Sequence, residues 1–145
     1  FAQGLLATWL SMHNFLPELA QFIRPKNPFE MKRIQYEELR LALSGAHGVE
    51  DLAALIADVD PKQKGVPILL KQYLKLGGKL LGFNRDPNFN DVLDGLILVD
   101  LRHTPPKVLQ RYMGEEGQAR FAQYYTRLTI NPMKRSVISS QQISL

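Results

Sequence analysis

Residues 65–101 read GVPILLKQYLKLGGKLLGFNRDPNFNDVLDGLILVDL, and this stretch decides the fold. Its first part predicts a helix, because apolar residues recur at helical spacing after Pro67, which suits a first helical turn. Gly77 and Gly78 predict the end of this helix, because glycine accepts the left-handed backbone conformation that follows a last turn.

Two strands follow the helix, near residues 79–84 and 93–101, and a polar turn joins them. The apolar run at residues 96–99 is continuous, and a continuous run in a strand needs cover on both faces. We therefore expect residues 96–99 to form a central, buried strand beside residues 79–83. Helix, strand, turn and strand in this order indicate an α/β fold.

Helical patterns occupy most of the remaining chain, and Gly114 separates the last two of them. The other expected helices cover residues 1–13, a short stretch that begins near Pro17, and residues 31–43 and 49–59. We expect one domain over residues 1–128 and a flexible polar tail over residues 129–145.

Composition excludes several classes of site and of protein. The chain has 145 residues, of which 45% are hydrophobic, so it can form a globular core. It has no cysteine, which excludes disulfides, thiolate metal ligands and a cysteine nucleophile. No apolar run is long enough for a membrane-spanning helix. The net charge of +4 favours acidic partners, such as an acidic carrier protein or anionic lipid.

Common catalytic and binding motifs are missing from the sequence. It contains no nucleophile elbow, phosphate-binding P-loop or dinucleotide-binding glycine motif. His13, His47 and His103 share no metal-ligand spacing, so we expect no metal site. His103 follows a strand end, where α/β sheets often place chemistry, but a solvent-exposed or capping role is favoured. The basic residues are spread thinly, so we expect no nucleic-acid partner.

Several segments resemble one protein family. VPILLKQYLKLGGKLLGFNRDPNF and LDGLILVDL, together with HNFLPELAQFIRPKNPF, VEDLAALIADVD and RYMGEEGQARFAQYY, are similar to the bacterial hemolysin-like proteins. That family is related to the ornithine-lipid acyltransferases and to the long-chain N-acyl amino acid synthases. The resemblance covers roughly residues 15–125.

This resemblance implies the C-terminal part of a GNAT-like fold and a long-chain acyltransferase. The enzyme would move a fatty acyl group from an acyl carrier protein or coenzyme A thioester, with no other cofactor. Its acceptor would be an amine, such as ornithine or another amino acid, or a lysolipid. The alternative is a non-catalytic interaction or membrane-docking module that retains the fold.

The resemblance also implies where the protein acts and what this chain can do alone. We expect a bacterial cytoplasmic protein with peripheral contact to the inner membrane. The phosphate-cradling loop of GNAT-like enzymes would lie upstream of Phe1, so we expect residues 1–145 alone to be a poor catalyst.

Asp86 and Asp94 are the candidate catalytic residues, because they flank the strand pair where the resemblance places the acyl chain. One carboxylate would orient an amine acceptor or take its proton. The alternative is turn chemistry, since Asp and Asn stabilise turns through their own backbone. That alternative is favoured for Asn88 and Asn90.

Basic residues near the first helix of this stretch are candidates for binding an acidic carrier protein. Lys71 and Lys75 are four residues apart, and Lys64 and Lys79 stand at the ends of the helix. Arg85 joins this set, although the family usually carries a small apolar residue there. The alternative for these residues is a solvated face.

The first helix carries an apolar side formed by Leu5, Leu6, Trp9 and Met12, and apolar residues beyond Asn14 extend this side: Phe15, Leu16, Phe22 and Ile23. Core packing is the commoner explanation of such a side. An apolar helix beside an acyl site could also contact lipid or a second copy. We therefore expect association through this side, as a homodimer or with a membrane.

Overall fold

The structure, a computed structural model, describes residues 1–62, 65–130 and 139–144. Lys64, of the expected carrier-binding lysines, lies outside the described residues. The helices and strands follow one another in the order α1 Ala2–His13, α2 Pro17–Ala20, α3 Arg33–Ala42, α4 Val49–Val59, α5 Ile68–Lys75, β1 Lys79–Asp86, β2 Val92–Val99, α6 Pro106–Ile130 and β3 Ser139–Ser144. Gly114 interrupts α6 with a positive φ of 72°. The mixed α/β class expected from the sequence is confirmed.

The three strands form one antiparallel sheet in the order β1-β2-β3. β2 is therefore the central strand and β1 its neighbour, as the apolar run predicts. Ile97, Leu98 and Val99 are buried, whereas Leu96 is partly exposed. The register places Asn84 opposite Asp94.

Part of the tail expected over residues 129–145 is described as a strand, and the flexibility expected of the tail stays a prediction. Residues 139–144 form β3 and pair with the free edge of β2, from Val99 opposite Ser139 to Asp94 opposite Ser144. An unpaired strand edge offers a row of backbone donors and acceptors to any segment that reaches it. Residues 131–138 and 145 lie outside the described residues.

The hydrophobic core lies between one face of the sheet and a layer of helices. Buried side chains of α1, α3, α4 and α5 meet Leu80, Ile97 and Val99 there. Strand alternation directs Ile97 and Val99 to the same face, which explains why both contribute. The opposite face carries Asp94 and Leu96.

The apolar side of α1 belongs to this core. Leu5 and Leu6 are fully buried, and Trp9 is 5% exposed while its Nε1 donates to the Ala46 carbonyl over 2.8 Å. These three side chains are therefore unavailable for association, and the expectation of a membrane or dimer contact through them is wrong. Met12, at the end of the same side, is 38% exposed.

The end of α5 is held by glycine and by a distant threonine. Gly77 has a φ of +83°, and a Cβ on Gly78 would lie 2.7 Å from the Tyr73 carbonyl oxygen. The Thr104 hydroxyl donates to the Leu76 carbonyl over 2.5 Å. This bond connects the end of α5 to the start of α6. β1 begins directly after the end of α5.

One segment leaves the outer edge of β1 and returns to it. Phe15 bridges Leu80 and Pro28 bridges Asn84. Residues 16–27, which include α2, therefore form an excursion that we call the flap. Among the described residues, no helix combines the length and the apolar character that crossing a bilayer requires.

Candidate functional site

A pocket of about 280 Å³ lies between the flap and the face of the sheet opposite the helical layer. The strands contribute its floor and residues 23–26 of the flap contribute its wall. Its lining consists of Ile23, Arg24, Pro25, Lys26, Gly82, Phe83, Asn84, Asp94 and Leu96. The pocket combines an apolar surface with one carboxylate and two cationic side chains.

Asp94 supplies the carboxylate of this pocket. It lies on the central strand β2 and is 5% exposed. A buried carboxylate is costly unless it has polar or charged partners, and Asp94 is engaged within the protein. Asp94 is therefore a positioned group on a rigid element, which is the arrangement that a binding or proton-transfer role requires.

Gly82 leaves space in the floor of the pocket. It lies directly opposite Leu96, and a Cβ built on Gly82 would meet no atom within 4 Å. The pairing of β1 with β2 shifts register between Leu80 and Gly82, which marks a bulge. The missing side chain and the bulge together open this part of the sheet face.

Asn84 fastens the flap above the pocket. Its Oδ1 accepts a hydrogen bond from the Asn27 backbone N–H over 2.8 Å, and its Nδ2 donates to the Arg85 carbonyl over 3.1 Å. The Asn27 carbonyl in turn accepts from the Arg85 N–H over 2.8 Å. These bonds fix the wall of the pocket relative to its floor.

Asp86, the second candidate catalytic residue, lies outside the pocket lining. Its carboxylate accepts a hydrogen bond from the Asn88 N–H over 2.9 Å and caps the 3-10 turn Pro87–Phe89. Asn90 and Asp91 then complete the turn with positive φ angles of 55° and 54°. Asp86 therefore stabilises the turn. Of the two candidate carboxylates, only Asp94 lines the pocket.

The candidate carrier-binding residues divide into two groups. Lys71 and Lys75 lie on α5, and Lys79 opens β1 just beyond it. Lys71 makes an ion pair with Glu50, with Nζ 3.2 Å from Oε2. Arg85 lies six residues along β1 from Lys79, about 20 Å away, and its guanidinium stacks over the Phe29 ring at 5.3 Å.

The sequence interpretation missed Arg24 and Lys26, which lie between the short helix expected near Pro17 and the helix expected over residues 31–43. Two cations flanking Pro25 after the apolar pair Phe22-Ile23 were the available signal. Nothing in that pattern indicates that the loop lies over the sheet. The contribution of these residues to a pocket depends on the long-range pairing of Asn27 with β1.

No histidine lines the pocket. His13 stacks near Trp9, with ring centroids 4.8 Å apart, and His47 is exposed. Within residues 1–62, 65–130 and 139–144, no group of three His, Cys, Asp or Glu side chains could hold a metal ion.

His103 belongs to a charged cluster after β2. Its Nδ1 lies 3.2 Å from Asp100 Oδ2, and its side chain is 78% exposed. Arg102 donates to both oxygens of Asp100, and this hydrogen bonding lowers the pKa of the Asp100 carboxyl below its ordinary value despite the opposing effect of burial. Asp100 in turn raises the pKa of Arg102. The cluster closes the 3-10 turn Leu101–His103, since Asp100 also accepts from the Arg102 N–H.

The chain matches no family model, no curated protein and no solved structure. Its candidate site therefore rests on the residues and geometry described above.

Proposed function

We propose that this chain is the C-terminal part of a GNAT-like long-chain acyltransferase. It takes a fatty acyl group from an acyl carrier protein or coenzyme A thioester and transfers it to an amine such as an amino acid. A lysolipid hydroxyl is the alternative acceptor. The observation that carries the proposal is the buried Asp94 carboxylate in a pocket whose other walls include Ile23, Phe83 and Leu96.

Asp94 would position the amine and manage its proton. An alkyl amine is protonated near neutral pH and attacks a carbonyl only after it loses that proton. A carboxylate in a partly apolar pocket holds the ammonium strongly and can accept the proton as attack begins. The amine nitrogen then bonds to the thioester carbon, the carbon–sulfur bond breaks, and the thiolate leaves and is protonated. This direct attack uses no enzyme nucleophile and so agrees with a chain that has no cysteine.

The size of the pocket supports an acceptor site more than a site for a whole acyl chain. Ligand pockets commonly have volumes of about 300–1,000 Å³, so a pocket of about 280 Å³ suits a small molecule. Its apolar residues would contact the carbon atoms nearest the reacting centre. The Asp94 carboxylate would then select an amine over a neutral hydroxyl at the same position.

Lipid mass spectrometry of cells that make the intact protein containing this chain tests the proposal. Extracts should contain long-chain N-acylated amines that are absent from cells without the gene. Asp94→Asn should reduce these products at least about a hundredfold, because a positioned general base contributes roughly 10²–10⁴.

Asp91→Asn is the matched control for this experiment. Asp91 is exposed at the hairpin turn with a φ of 54°, a conformation that asparagine also accepts. The control should make as much product as the wild type. If wild-type cells contain no new acylated product, the non-catalytic module is the better description. If Asp94→Asn retains full product formation, Asp94 has no role in the chemistry.

A further inference from the structure

The flap is a surface segment whose two ends both contact β1. Its two ends meet β1 at Leu80 and Asn84, which are four residues apart on a strand and so about 13 Å apart. The Leu16 N–H donates to the Leu80 carbonyl over 3.0 Å at one end, and the Asn27 carbonyl accepts from Arg85 at the other. Compact surface loops with neighbouring ends are frequently functional.

The flap and Phe15, the residue just before it, present large apolar side chains to solvent. Phe22 is 76% exposed, and Phe15 and Leu19 are 42% and 39% exposed. Hydrogen bonds from Phe22 N to Leu19 O and from Ile23 N to Ala20 O continue the turn that α2 begins. Leu19 and Phe22 have the three-residue spacing of one side of this helical turn, whereas Phe15 precedes the turn at the bridge to Leu80.

Cationic side chains border this apolar surface. Arg24 and Lys26 belong to the flap, and Arg85 is joined to it through Asn27. Glu18 is the acidic residue of the flap. Exposed aromatic and aliphatic side chains bordered by Lys and Arg are typical of surfaces that enter the interface of an anionic bilayer. A second copy of the same surface would instead bring like charges together.

We propose that the flap docks on anionic lipid bilayers, with Phe22 inserted among the acyl chains and Arg24 and Lys26 against the headgroups. Because residues 23–26 also form the wall of the pocket, docking places the pocket at the lipid surface. The docking goes beyond the proposed acyl transfer and does not depend on it.

Vesicle co-sedimentation of the 145-residue chain tests this docking. The probes are vesicles of pure phosphatidylcholine and vesicles that contain about one third phosphatidylglycerol. The chain should bind the anionic vesicles and bind the neutral ones at least tenfold more weakly, because each Lys or Arg at an anionic surface contributes about 1 kcal/mol, or about fivefold.

Two variants separate the apolar and ionic contributions to vesicle binding, and a third serves as a control. Phe22→Ser should weaken binding to anionic vesicles at least about tenfold, since it removes most of the inserted area. Arg24→Gln/Lys26→Gln should weaken it by a similar factor and remove the preference for phosphatidylglycerol. Ile68→Ser, at a residue 79% exposed at the start of α5, should bind as the wild type does.

A site-specific probe makes the test independent of variant stability. The chain has no cysteine, so Phe22→Cys and Ile68→Cys each introduce a single attachment site for an environment-sensitive dye. Anionic vesicles should shift the emission of the dye to the blue at position 22 and leave it unchanged at position 68.

Several results would overturn the docking proposal. These are no binding of the wild type to anionic vesicles, equal binding to both vesicle types, or equal blue shifts at both labelled positions. A concentration-dependent dimer that Phe22→Ser abolishes, without lipid binding, would identify a second copy as the occupant. Lipid binding without acylated products would leave the docking intact and reject only the proposed enzymatic activity.

Discussion

Asp94 was selected as a candidate from the sequence, but its burial was not predicted. The sequence interpretation selected it as a carboxylate that flanks the strand pair where the family resemblance places the acyl chain. Its 5% exposure was not predictable, because an aspartate at the start of a strand most often faces solvent. The flap and Asp94 line the same pocket, and the flap is placed by contacts with β1 that are distant in sequence.

Trp9 is the residue for which the sequence-based prediction and the structure differ most. Helical spacing groups it with Leu5 and Leu6 but does not tell whether protein or lipid covers that side. We expect Trp9→Ser to lower the free energy of unfolding by about 3–5 kcal/mol, through lost burial and a lost partner for the Ala46 carbonyl. Urea denaturation measures this change.

Ile34→Ser is the control for Trp9→Ser, because Ile34 is 75% exposed on α3. Its free energy of unfolding should stay within about 0.5 kcal/mol of the wild-type value. If Trp9→Ser lowers the free energy of unfolding only slightly and also lowers the mass measured by light scattering, Trp9 contributes to a contact between molecules and not to the core.

At the scale of elements, the helix, glycine stop and hairpin of residues 65–101 followed from local signals. Gly77 has the positive φ that its position predicted, and β2 is the central strand. β3 was not predictable, because the polar sequence SSQQIS lacks strand propensity and pairs only where β2 offers an edge. Local propensity is often overridden in this way by tertiary contacts.

α5 and the start of β1 carry the proposed carrier-docking lysines. Lys71→Glu/Lys75→Glu should weaken binding to an acidic acyl carrier protein by about tenfold or more at low salt. The effect should shrink at high salt, because exposed charges are screened beyond about 8–10 Å at physiological ionic strength. Fluorescence anisotropy with labelled carrier protein measures both conditions.

The ion pair of Lys71 allows a finer prediction. Glu50 already offsets the charge of Lys71, so Lys75→Glu alone should weaken carrier binding more than Lys71→Glu alone. Lys32→Glu, at the start of α3, should have little effect. If the wild type and the double variant bind the carrier protein equally at low ionic strength, these lysines form only a solvated face.

The turn after β2 should make stability depend on pH through Asp100. Arg102 lowers the pKa of Asp100, so the stabilisation is present above the ordinary value of 3.8 and is lost as pH falls through the lower folded-state pKa. Arg102→Gln should lower the free energy of unfolding at pH 7 by less than about 1 kcal/mol, because the Arg102 side chain is half exposed.

Chemical denaturation between pH 2 and pH 7 checks this prediction. The difference between wild type and Arg102→Gln should narrow as pH falls below about 3.8 and Asp100 becomes protonated. A constant difference across this pH range would show that Arg102 acts through packing alone.

The two faces of the sheet have different roles in the whole molecule. Helices cover the face with Ile97 and Val99, and the flap covers part of the face with Asp94 and Leu96. Sequence periodicity predicted the helices and the central strand because both depend on repeated apolar positions. It could not predict the pocket, which depends on where residues 23–26 lie after Phe15 and Pro28 pair with β1.

Filling the pocket from its floor tests the central claim most directly. Gly82→Val directs its side chain into open space, and valine favours a strand, so the melting temperature should stay the same or rise. If the acceptor binds beside Asp94, cells expressing the gene with Gly82→Val should contain at least about tenfold less long-chain N-acylated amine than wild-type cells. Unchanged product in a stable Gly82→Val protein would contradict the account, because the pocket would then be unnecessary for the reaction.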